Sequence, residues 1–122
     1  MGTWCDIPLG TRNEITYTPM MRSVLVQCTV EFSRHIHKPL GEAAEEDFLA
    51  VFECTVGNAL QAGARWTPLA RAFVLRFVGH VGKEAERLTT AFGEPHITGP
   101  RVRQAAEIAI THAREIEARL RA

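Results

Sequence analysis

Cys28, His35, Cys54 and His80 are the residues of this sequence best suited to chemistry, because thiolate and imidazole ligands together hold zinc or a redox metal. Cys28 and His35 lie seven residues apart, two turns along a helix, and so share a face. Cys54 and His80 would have to come in from other segments. The spacing matches no zinc motif, and the competing reading makes both cysteines small buried hydrophobes. Cys28 with His35 or His80 could also form a thiolate and base, although no third, orienting group is legible. Glu31 and His35 stand at i,i+4, but the Glu-x-x-His pattern of a di-iron bundle is missing.

His80 sits between Gly79 and Gly82 in what otherwise reads as one long helix. Each glycine costs a helix interior about 1 kcal/mol relative to alanine, so the pair must return something. One return is a close helix crossing. The other is room for a planar cofactor or metal held by His80, with Gly79, Gly82 and Phe77 as the accompanying binding residues. His96 and His112 read as solvated or capping groups. No glycine-rich loop follows a strand, which excludes a nucleotide phosphate cradle of that kind.

The elements that must position these residues follow from apolar spacing. Residues 1–19 form an arm rich in Gly, Pro and Thr, with one β-like run, "ITYT", and Trp4 to tack it down. From Met20, Met21, Val24, Leu25, Cys28, Phe32 and Ile36 recur at helical spacing, predicting a first helix to about His37. Glu42, Glu45, Glu46 and Asp47 suit the positive end of a second helix, whose face is Leu49, Phe52, Val56, Ala59 and Leu60. Gly63 ends it. Thr67 is a good N-cap with Pro68 at the first helical position. The third helix then carries Ala70, Phe73, Val74, Phe77, Val81, Ala85, Leu88 and Phe92 on its apolar face, with Arg76, Lys83 and Arg87 opposite. Gly93 closes it. Thr98 and Pro100 open a fourth helix with the stripe Val102, Ala105, Ala106, Ala109, Ala113, Ile116 and Leu120. The expected fold is all-α, a single helical domain of about four helices over 20–122 behind the arm, with no internal repeat.

Composition sets the outer bounds. A chain of 122 residues, 46% apolar and 23% charged, can bury one real core. Its three cysteines form no Cys-x-x-Cys pair and no secreted framework, which points to a reducing cytoplasm. No leader and no apolar run of membrane length is legible, and translation could start at Met1, Met20 or Met21. Net charge is zero, yet residues 1–63 hold four Lys/Arg against eight Asp/Glu while 64–122 hold ten against six. The halves can attract each other within one fold or across a homodimer. A basic face of Arg76, Lys83 and Arg87 could meet nucleic acid, but zero net charge disfavours strong DNA binding.

From Trp66 to about Ala106 the sequence resembles a small helical module at the C-terminus of one catalytic subunit of light-independent protochlorophyllide reductase. The shared residues are Trp66-Thr67-Pro68, Ala70, Phe77-Val78, Glu86, Gly93, Ile97-Thr98 and Val102. Arg76 and Gly79 stand where that module usually shows a proline and an arginine, and the iron-sulfur catalytic body has no counterpart here. The resemblance implies tetrapyrrole contact or protein docking and no reductase activity. The same segment is similar to a histone-type fold, with a long helix, a short link and a helix beginning at Val102, which implies pairing as a dimer. Taken together, the sequence points to a non-catalytic accessory module that binds a protein partner or an apolar, tetrapyrrole-like ligand, with a metal or haem protein and a weak DNA-binding dimer as alternatives. No particular cofactor is specified.

Overall fold

The computed structural model describes residues 15–121. Four helices account for nearly all of that span. They are α1 (Pro19–Arg34), α2 (Ala44–Phe52, continuing through a π segment Glu53–Gly57 into a last turn Asn58–Gln61), α3 (Pro68–Ala91) and α4 (Gly99–Arg121). Trp4 and Cys5 lie outside the described residues. The "ITYT" run is no strand; Thr16 donates its N–H to Gln61 Oε1 and the run lies against the end of α2. None of the described helices is long and apolar enough to cross a membrane.

Two helix–link–helix units stand side by side, α1 with α2 and α3 with α4. Each opens on the same device: the Thr18 and Thr67 hydroxyls accept from the N–H of Met21 and Ala70, both at 3.1 Å, and proline follows at the first helical position. The links meet in one parallel bridge, Leu40 with Ile97, in which Gly41 N–H donates to Ile97 O at 2.7 Å and Ile97 N–H to Pro39 O at 2.9 Å. Contacts then advance in step, Gln27 with Arg71, His35 with Gly79 and Gly82, His37 with Glu86, so α1 and α3 run parallel. So do α2 and α4, whose contacts advance from Glu42 with Gly99 to Asp47 with Arg103. Buried Ala44, Phe48, Val51 and Phe52 match the spacing of buried Val102, Ala106, Ala109 and Ile110.

The architecture therefore repeats where the sequence reading finds no repeat. The reason is physical: α3 has 24 residues to the 16 of α1, so no fixed offset aligns the two units, and only caps and core spacing are retained. α1 also ends earlier than the expected His37. Glu86 of α3 takes the N–H groups of His37 and Lys38 at 2.9 and 3.1 Å, so the chain turns off toward Pro39 and leaves the helical path. The N–H groups that a helix would have satisfied are satisfied by a carboxylate instead.

That carboxylate gives the fold an acid-sensitive tie. Burial raises the Glu86 pKa, and the two backbone N–H bonds with the nearby His37 and Lys38 charges outweigh it, so the net displacement is below the ordinary 4.5. A depressed carboxylate contributes stability above its unfolded pKa and loses it as pH falls through the folded one. Glu86→Gln is expected to be less stable than the natural protein above about pH 4.5, with the gap closing as pH drops below it. Urea midpoints of both proteins between pH 7 and pH 3 check this, and a constant gap would contradict it.

Two parts of the expected core are outside it. Phe92 is 60% exposed, and the Arg101 guanidinium lies 3.9 Å over its ring while bonding Glu94 at 2.7 Å. On α4 the apolar stripe outruns the domain: Ala109 is buried, Ala113 half-buried, Ile116 44% and Leu120 82% exposed. In α2 the opposite holds, because residues 51–60 are buried without a break. A segment covered on every side must hide its polar groups. Thr55 donates to Val51 O at 2.6 Å, and the Tyr17 hydroxyl donates to the Glu53 carboxylate.

Candidate functional site

The structure separates the residues expected to share a metal. Cys28 is fully buried on the α1 core stripe, and burial pushes its thiol up to about 12. A thiol so raised is no nucleophile near neutral pH. Cys54 is 1% exposed inside the π segment of α2, and both cysteines are free thiols. Nothing among the described residues gathers three of His, Cys, Asp and Glu as a metal set. His35 is committed elsewhere: its Nε2 lies 2.9 Å from Glu31 Oε2, and its ring lies on Gly79.

Gly79 and Gly82 are used for a helix crossing. A Cβ on Gly79 would meet His35 Nε2 at 2.9 Å, and one on Gly82 would meet His35 Cβ at 3.0 Å and Phe32 O at 3.1 Å. α1 lies where a cofactor over these glycines would have to lie. Phe77, the fourth residue of that candidate set, faces the α2 side and lines a cavity with Phe48, Val51, Phe52, Thr55, Val56, Val78 and Val81. Its volume is about 10 Å³, room for one water at most. A tetrapyrrole does not fit there.

His80 takes a position the sequence did not reveal. It is half-buried on the α4 side of α3, and its ring centre lies 5.3 Å from that of His112, the planes tilted by 37°. His112 also lines an open groove of about 500 Å³ with Leu88, Gln104, Glu107, Ile108, Thr111 and Glu115. The only sequence signal for this pairing was that both histidines fall near the edges of apolar stripes, and it lacked any register between α3 and α4.

Arg76, Lys83 and Arg87 are exposed on α3 as expected. Arg87 is engaged by Glu84 at 2.7 Å, which reduces the positive charge this face offers a phosphate. Polar groups outside the candidate sets, Tyr17 with Glu53 and Glu86 with the α1–α2 link, bind parts of the chain to each other and do not line the groove. Apolar side chains also emerge at the end of α4, where Ile116 and Leu120 are exposed. Comparison with protein-family models, curated proteins and solved structures gives no match to this chain.

Proposed function

We propose that this chain is a non-catalytic interaction module that pairs with a second copy of itself through the end of α4. One observation carries the reading: the stripe Ala109, Ala113, Ile116, Leu120 keeps the 4-3-4 spacing of a helix–helix seam while its burial falls away residue by residue. A helix face that stays apolar after the core ends has a use for its oil. The flank of this seam carries both Glu115 and Arg119, so it offers each sign to a copy and does not repel it as a one-signed flank would.

Magnitudes set the expected strength. Burying Ile116 and Leu120 from each of two copies contributes on the order of 5–10 kcal/mol, against an association cost of about 4–15 kcal/mol. The two terms nearly offset, so a weak, concentration-dependent dimer follows. Native mass and light scattering across a concentration series should show monomer passing to dimer toward the millimolar range, where a net gain of about 4 kcal/mol places the midpoint. Ile116→Asp with Leu120→Asp should keep the helical circular-dichroism signal and remain monomeric throughout. A natural protein that stays monomeric at several millimolar removes the self-pairing reading.

A further inference from the structure

Two imidazoles facing each other across a helix pair need a reason. His80 and His112 come from different helices, His80 half-buried and His112 exposed, and His112 lines an open groove, so their meeting is not that of two core side chains. Ring stacking alone is worth about 0.5–1.5 kcal/mol. A shared ion offers more. A tetrahedral ion with Zn–N near 2.1 Å holds the centres of two imidazole rings about 5 Å apart, and the separation here is 5.3 Å.

We propose that His80 and His112 form a two-imidazole site for a borderline divalent cation, zinc, copper(II) or nickel, that ties α3 to α4. The site borders the α4 seam, with His112 four residues before Ile116, but both of its imidazoles come from one chain and it needs no second copy to form. Imidazole nitrogen selects for these ions over magnesium and calcium, which prefer oxygen. Each histidine also has a carboxylate on its own helix face: Glu84 four residues after His80, and Glu115 three after His112. Glu115 lines the same groove as His112, whereas Glu84 holds Arg87. No third ligand is in place among the described residues, so water or a rotated Glu115 completes the coordination.

The test uses the full chain carrying Cys5→Ser, which removes the thiol outside the described residues from competition. Calorimetric titration with zinc, copper(II) and nickel should show one equivalent bound. His80→Ala and His112→Ala should each weaken binding at least about tenfold, the smaller of the effects known for disturbing a ligand's supporting shell. Zinc should raise the melting temperature of the parent protein and leave that of either variant unchanged, because binding to the folded state stabilises it by mass action. The copper(II) spectrum should show coordination by two imidazole nitrogens. His112 is exposed, so His112→Ala will fold, and circular dichroism verifies it. No uptake, uptake indifferent to His112→Ala, or an equal melting shift from magnesium would reduce the arrangement to a stacked pair and overturn the site.

Discussion

Ile97→Ala is expected to destabilise the protein by about 2–5 kcal/mol, the usual range for removing a fully buried isoleucine side chain. Ile97 is fully buried and heads the largest such side chains, in the link between α3 and α4. Its own backbone makes the bridge to Pro39 and Gly41, so the links on either side are held in place when the side chain is cut back. A pinned wall cannot close onto the space left behind, which puts this site toward the costly end of the range. At this length each kilocalorie corresponds to about 3–6 °C in melting temperature. Since a domain of this kind is stable by about 5–15 kcal/mol in total, the variant should remain folded at 25 °C but melt well below its parent. Ile108→Ala is the control: Ile108 is 36% exposed on α4, and its loss should cost much less. Equal effects of the two substitutions would mean that the linked bridge is not a core position.

What could be read in advance follows the range of the interactions. The Thr67-Pro68 start of α3 was legible because an N-cap is settled within four residues, and the structure shows the expected hydroxyl bond to Ala70 N–H. Val102, Ala105, Ala106 and Ala109 were legible as core because helical period alone places them on one face. Where that face ends was not. Ile116 and Leu120 continue the same stripe, and only the length of the helices packed against α4 decides that they emerge from the core. The early stop of α1 depends on Glu86, 49 residues from His37, and the π segment lies against Ile15 and Tyr17, about 40 residues away in the chain. Cys28, His35, Cys54 and His80 are not gathered as one group among the described residues, because helical spacing places Cys28 on a face but not which neighbour that face meets. His80 and His112 met for the same reason, unseen.

The glycines of α3 give the sharpest contrast between two substitutions of one kind. Alanine at either position would recover about 1 kcal/mol of helix propensity, so a neutral site would become more stable. At Gly79 the atoms in the way are the far end of the His35 ring, at 2.9 and 3.1 Å, and Glu31 Oε2 at 3.3 Å. That ring can swing out, losing its bond to Glu31, and the two effects should leave Gly79→Ala within about 1 kcal/mol of the parent. At Gly82 the atoms are His35 Cβ at 3.0 Å and the Phe32 carbonyl at 3.1 Å, one bonded directly to the backbone and one part of it. Neither yields without moving α1, and overpacking against a fixed element costs about 1–3 kcal/mol. Gly82→Ala is therefore expected to lose up to about 2 kcal/mol net, read as a lower urea midpoint with an unchanged slope. Phe32 is buried against Phe48 with ring centres 4.7 Å apart, so a displaced α1 also strains the packing toward α2. A Gly82→Ala protein more stable than its parent would mean that α1 and α3 do not approach this closely, and the helix crossing would no longer account for the glycine pair.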